Sequence, residues 1–182
     1  MPKTECAASD RSVVVATTLD IPKLHQLVNG AYRGDSSRQG WTTEADFLDG
    51  QRIDEQGLHE LLTAPDSAIL VLRSADALIG CCHVSRDACY KAYLGMVTVA
   101  PSLQGNGLGR LLLEAAEDYT RRQFGALYIR MTVISLRSEL LQWYQRRGYQ
   151  PTEERMRFPS DQPRFGIPKR SDLEFVVLEK TL

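Results

Sequence analysis

The run Val97-Thr98-Val99-Ala100-Pro101-Ser102-Leu103-Gln104-Gly105-Asn106-Gly107-Leu108-Gly109-Arg110 carries the most chemically suggestive pattern in the chain. A β-branched stretch leads into three alternate glycines, and an amphipathic helical pattern follows at once. Glycine permits positive φ and close backbone approach, while the first turn of a helix offers N–H groups without internal partners and the positive end of the helix dipole. Together these form a cradle for a phosphate or pyrophosphate that needs no lysine. Two familiar phosphate motifs fail on spacing. Gly109 is followed by Arg110-Leu111, not by the Lys-Ser/Thr of a P-loop, and Gly-x-Gly-x-Gly is not the Gly-x-Gly-x-x-Gly of a dinucleotide site. The bland alternative is a tight turn that uses its glycines for geometry alone.

Other reactive residues carry weaker signals. Cys81-Cys82-His83 with Cys89 hints at zinc, but neighbouring strand residues point to opposite faces, so buried thiols are the better reading and no metal is expected. His25 and His59 stand alone on helical patterns. Tyr32, Trp41 and Phe47 suit an acceptor pocket and a covering for the sheet equally well.

The elements that must position these residues follow from periodicity. Val13 to Ala16 reads as a strand, handing over through Asp20-Ile21-Pro22 to a helix that places Leu24, Leu27, Val28 and Ala31 on one face and ends near Gly34. Residues 34–42 read as a loop, followed by a short helix from Thr42 or Thr43 to Gly50 and another over Glu55 to Thr63. Ala68 to Arg73 and Ala77 to Val84 form a hairpin, and residues 92–100 the next strand. A long helix from Gly107 to about Gln123 precedes a strand at Leu127 to Ile134, a helix at Leu136 to Arg147, a strand from Tyr149, and a last strand at Leu173 to Leu178. This order specifies an α/β sheet covered by helices. A chain of 182 residues suits one domain over 1–182, with an ordered core of about 12–180.

Composition narrows the function. The 43% apolar and 25% charged residues fit an ordinary globular protein. With 22 basic and 23 acidic side chains the net charge is -1, which removes the electrostatic pull needed for nucleic acid or a membrane surface. No apolar stretch approaches the roughly 20 residues that cross a bilayer. Four cysteines, Cys6 among them, are too few for a disulfide framework, and the polar start MPKTECAASDR lacks the apolar region of a signal peptide, so a cytoplasmic location is expected.

Val99 to Gly109, with Gln104, Gly107 and Gly109 in register, resembles the acetyl-CoA signature of the GNAT superfamily of N-acetyltransferases. Trp143-Tyr144-Gln145-Arg146-Arg147-Gly148-Tyr149 is similar to the end of that family's last core helix. The resemblance implies a mixed, mostly antiparallel twisted sheet of about seven strands flanked by helices, and transfer of an acetyl group from acetyl-CoA to a small-molecule or protein amine by direct attack. It implies that Met96, Val97, Thr98 and Val99 lie beside the pantetheine arm. The backbone of Gln104, Gly105, Asn106, Gly107, Leu108 and Gly109 would bind the pyrophosphate, with Arg110 adding charge. Tyr144 matches the family's general acid, next to the cofactor, and an N–H near Val97 or Thr98 would stabilise the oxyanion.

The chain also departs from that pattern. Tyr93-Leu94-Gly95-Met96 offers no strand carboxylate, so the base is left among Glu44, a water chain and solvent, and Arg137 stands near the place of a frequent Asn. Tyr32, Trp41 and Glu44 are the candidate acceptor contacts, and residues 34–52 and 159–171 the acceptor walls. The missing carboxylate keeps a second reading open, a non-catalytic acyl-CoA-binding regulatory module. The final strand offers an edge through which two copies could pair as a homodimer.

Overall fold

The computed structural model describes residues 11–182; Cys6 and the polar leader lie outside the described residues. Strand β1 (Arg11–Val15) leads to helix α1 (Ile21–Tyr32), a single turn α2 (Gly34–Ser37), a two-residue strand β2 (Leu48–Asp49) and helix α3 (Glu55–Thr63). Strands β3 (Ser67–Ser74), β4 (Ala77–Ala88) and β5 (Lys91–Val99) follow as a meander, then helix α4 (Leu108–Phe124), strand β6 (Tyr128–Ile134), helix α5 (Ser138–Gln145) and strand β7 (Gln150–Arg157). A short β8 (Ile167–Pro168) and a long β9 (Glu174–Thr181) complete the chain.

Seven strands form one sheet in the order β1-β3-β4-β5-β6-β9-β7, antiparallel throughout except where β5 meets β6. The expected mixed, mostly antiparallel sheet is therefore present. Both faces are covered, which explains why β3 reads as an unbroken apolar run. Leu70 and Leu72 join Leu112 and Ala116 of α4 on one side, while Ile69 and Val71 join Leu24 and Val28 of α1 and Leu58 of α3 on the other. Cys81 and Cys82 divide between these two cores in the same way.

Three expectations are corrected. No helix runs from Thr42 or Thr43 to Gly50: that segment is turns ending in β2, which pairs with β8, and the single turn α2 sits instead in the stretch read as loop. Its polar residues bond to one another locally, as Ser37 Oγ does with Thr43 Oγ1 at 2.6 Å, and this favours turns over a helix. Strand β4 continues past Val84 to Ala88. Finally, β9 offers no free edge, because it lies between β6 and β7. Its Val176, Val177 and Leu178 are buried and need neighbours on both sides, whereas polar, proline-bearing β7 suits the rim. No helix among the described residues is long and apolar enough to cross a membrane.

Candidate active site

The centre of the sheet is where two strands part. Strand β5 pairs with β6 only through Lys91, Ala92 and Tyr93, opposite Tyr128, Ile129 and Arg130. Beyond that point Leu94 to Val97 and Met131 to Ile134 face each other across a cavity. On the other side of β5, the register against β4 jumps, so that Met96 and Val97 together oppose Cys82. This is a β-bulge, which re-aims backbone groups beside a site. Met96 takes φ +54°, a conformation that costs a non-glycine residue about 1–3 kcal/mol and survives only where surrounding contacts enforce it. Two such contacts are present: the Tyr32 hydroxyl donates to the Val97 carbonyl at 2.9 Å, and Thr98 Oγ1 donates to the Met96 carbonyl at 2.9 Å.

Past the end of β5 the glycine turn opens a cleft of about 410 Å³. Gly105 and Gly107 have φ of +84° and +76°, and a Cβ placed on either would meet nothing within 4 Å. Gly107 is the N-cap of α4 and has no side chain to satisfy the leading N–H groups. Bare donors, dipole and empty space together fit a diphosphate. The Gln104 side chain braces the turn from behind. It donates to the Val99 carbonyl at 3.2 Å and accepts from the Trp41 N–H at 3.0 Å, tying the turn to the 40–42 loop. Asn106 bonds back to the Leu103 carbonyl, and exposed Arg110 is turned to Glu114 at 2.7 Å. Gly109 lets α4 approach Trp143, since a Cβ there would stand 3.1 Å from the indole. Arg147 lies over that indole, its guanidinium carbon 3.7 Å from the ring centre. Val97, Val99 and Leu108 line the same cleft; Met96 faces the cavity between the parted strands, and Thr98 is buried.

Tyr144 stands where the two spaces meet. With Tyr32, Val97, Arg137 and Leu140 it lines both the glycine-turn cleft and the cavity between β5 and β6. Its ring packs edge-on against Trp143 and Tyr149, with centroids 5.0 and 5.8 Å away. Burial raises the pKa of its phenol, so the group stays protonated and is a donor at neutral pH.

The second cavity, about 240 Å³, is bounded by the two segments expected as walls. They are tied together by the β2–β8 pairing, by Lys169 Nζ to the Ala45 carbonyl at 2.7 Å, and by Arg33 to the Phe165 carbonyl at 3.1 Å. Glu44 lies here, buried, with one carboxylate oxygen on Arg33 and the other 2.8 Å from Arg137. Burial alone would raise its pKa, but the charges of Arg137, Arg33 and Arg52 and the bond from Arg33 outweigh this and hold the carboxyl below its ordinary value. Both oxygens are thus committed. Trp41 lines the glycine-turn cleft, not this cavity, and Phe47 packs against Leu48, Ile134 and Leu173.

A comparison made on the sequence decides the family. The model of the acetyltransferase (GNAT) domain matches residues 33–159, most of the chain. The chain belongs to the GNAT acetyltransferase family. Among solved structures, this GNAT protein superposes on smu.2055 from Streptococcus mutans UA159 with a TM-score of 0.70 at 14% identity, over 93% of its own length and 98% of the other. The ribosomal-protein-S18-alanine N-acetyltransferase from Escherichia coli gives 0.68 at 14% identity, over 94% and 93%. The putative acetyltransferase yncA from Salmonella typhimurium, solved with its cofactor acetyl-CoA, gives 0.67 at 19% identity, over 94% of each chain. At such identities the likeness shows the shared fold. No curated protein matches by sequence.

Three arginines that line these GNAT cavities were given no role from the sequence: Arg33, Arg52 and Arg147. Arg33 and Arg52 belong to no motif, and only Arg147 carried a signal, its place in the Trp143–Tyr149 run. Cys81 and Cys82 are buried on opposite faces of the sheet, their thiols pushed up by burial; Cys89, expected to be buried as well, is instead exposed on a turn past the end of β4, and His83 shares a hydrogen bond with Ser67 at 2.9 Å.

Proposed function

We propose that this acetyltransferase moves an acetyl group from acetyl-CoA to a primary amine, carried by a small molecule or a protein, by direct attack. The observation that carries this reading is the junction of two cavities at Tyr144, one ending in a diphosphate cradle and the other in the space of about 240 Å³ between β5 and β6. Bare N–H groups at the start of α4 and the turn at Gly105 and Gly107 hold the diphosphate. The pantetheine arm runs along Val97 and Val99, and Trp143 and Arg147 close the outer wall. In the reaction the amine nitrogen forms a bond to the acetyl carbon, the carbon–sulfur bond breaks, and the departing sulfur takes a proton. The bulge at Met96 and Val97 aims backbone donors at the carbonyl oxygen, where negative charge develops.

Tyr144 delivers the proton to sulfur: its phenol is protonated at neutral pH and its ring lines both spaces. We assign Glu44 to holding Arg33 and Arg137 in place, because a carboxylate engaged on both oxygens and biased toward ionisation is a poor proton acceptor. Three arginines against one carboxylate leave the acceptor cavity with an excess of positive charge. That field favours the neutral form of a bound amine, which lowers the demand on any base and accounts for a strand without a carboxylate.

The test is calorimetry with CoA and acetyl-CoA, paired with thiol release over a panel of amines. Tyr144→Phe is expected to keep CoA affinity within about twofold and to cut transfer by about 10²–10⁴-fold, the usual worth of a placed acid. Unchanged turnover would remove Tyr144 from the chemistry. Heat of binding without acetylation of any amine would favour the non-catalytic acyl-CoA-binding module, and no heat at all would sink the reading.

A further inference from the structure

The acceptor cavity carries charge that the transfer chemistry does not use. Its charged lining consists of Arg33, Arg52, Arg137 and Glu44, three cations and one anion. Glu44 answers Arg33 and Arg137. Each of those guanidinium groups keeps a buried Nε–H with no partner among the described residues. Half-buried Arg52 has no carboxylate within ion-pair distance among the described residues and lies over the Tyr32 ring, 5.5 Å from its centre. Tyr32 in turn grips the Val97 carbonyl, so Arg52 stands one ring away from the bulge where transfer takes place. The remaining wall is largely apolar, with Phe158, Phe165 and Phe175 from the C-terminal segments.

From this arrangement we propose that the acceptor is a small primary amine carrying its own anionic group, and that Arg52 binds that group. The inference rests on the acetyl-transfer reading above and sharpens it. Buried cations are stable when paired; here buried Arg33 and Arg137 share a single carboxylate, and half-buried Arg52 has none among the described residues. A bound anion would supply the missing partner and hold the amine end toward Tyr144 and Val97. A guanidinium fork suits a carboxylate or a phosphate, each of which offers a pair of oxygens to its parallel N–H groups. A linear polyamine would bring further positive charge into a small cavity that already has an excess, and it is excluded on the same ground.

The experiment measures initial rates of thiol release for matched acceptors on the full chain. Free amino acids are set against their amides and against the amines that lack the carboxylate; O-phosphoethanolamine is set against ethanolamine; spermidine stands as the polycation. The anionic member of the preferred pair is expected to exceed its neutral partner by about tenfold or more in kcat/KM, the scale of a charge-assisted hydrogen bond. Which pair shows the effect tells carboxylate from phosphate. Arg52→Gln is expected to erase most of that ratio through KM, Arg52→Lys to retain part of it, and Arg52→Glu to favour the neutral partner. CoA calorimetry on each variant confirms folding.

Equal rates within every pair, a preference for spermidine, or an unchanged ratio in Arg52→Glu would overturn the proposal while acetyl transfer stood. The absence of any acetylated amine in a protein that binds CoA, or no CoA binding by the unaltered chain, would instead bring down the underlying reading.

Discussion

Replacing Glu44 with glutamine separates a structural carboxylate from a catalytic one. The side chain is buried and bonds to Arg33 and, at 2.8 Å, to Arg137. Glutamine keeps the shape and removes the charge, so two buried guanidinium groups lose their shared counterion. Breaking one buried ion pair costs about 3–5 kcal/mol, because the charge left behind is uncompensated. Two pairs go at once here, but Arg33 keeps the Phe165 carbonyl at 3.1 Å and Arg137 keeps Thr42 Oγ1 at 2.7 Å, which holds the loss near that range rather than twice it. In a chain of this size about 3–5 kcal/mol lowers Tm by about 6–20 °C.

The pH dependence has a definite sign. The folded-state pKa of Glu44 lies below its ordinary 4.5, so its stabilisation is complete above that value and disappears as pH falls through the folded value. The variant should lack this acid-side loss. Thermal and urea denaturation without CoA, which would itself stabilise the fold, provides the assay. A variant that melts within about 2 °C of the parent and loses transfer more than about 100-fold would refute the assignment and make Glu44 the base.

Two further outcomes follow from the same reasoning. His83 is buried against Ser67 and its pKa is pushed down to about 4 by burial, from an ordinary 6.5. Between those values the unfolded chain takes a proton that the folded chain refuses, so stability should fall by about 3 kcal/mol as pH drops through this window. His83→Gln should flatten that slope in urea midpoints measured against pH, and an unchanged slope would contradict it. Gly107→Ala and Gly125→Ala place the same methyl group on left-handed residues at opposite ends of α4, both with open space around it. Each should cost about 1–2 kcal/mol of stability, but only Gly107→Ala should also weaken CoA binding, by about tenfold; equal CoA affinity in the two would argue against the cradle.

What the sequence discloses here depends on distance along the chain. The glycine turn and Tyr144 were legible because each sits in a local run whose spacing fixes its own geometry. Helix α3 was readable to its ends, since Asp54 caps Gly57 N–H at 2.6 Å and Pro65 follows. The cavity between β5 and β6 was not readable in this way. Arg33, Glu44 and Arg137 lie far apart in the chain and come from a helix end, a turn and the N-cap of α5, so no periodicity links them. The same holds for β2 and β8, two residues each and visible only through their pairing. The parting of β5 from β6 is likewise a property of strand order, which alternation along a strand does not encode.

The position of β9 sets an order of assembly. It is bonded to β6 on one side and β7 on the other, so β7 has nothing to hold until residues 174–181 arrive. A nascent chain emerging from the ribosome can therefore build the meander of β3, β4 and β5 early, while Tyr144 and Tyr149 wait on an unfinished platform. Cleavage by a protease between β7 and β9 during synthesis would leave the meander paired but strand α5 without the half-sheet on which it rests.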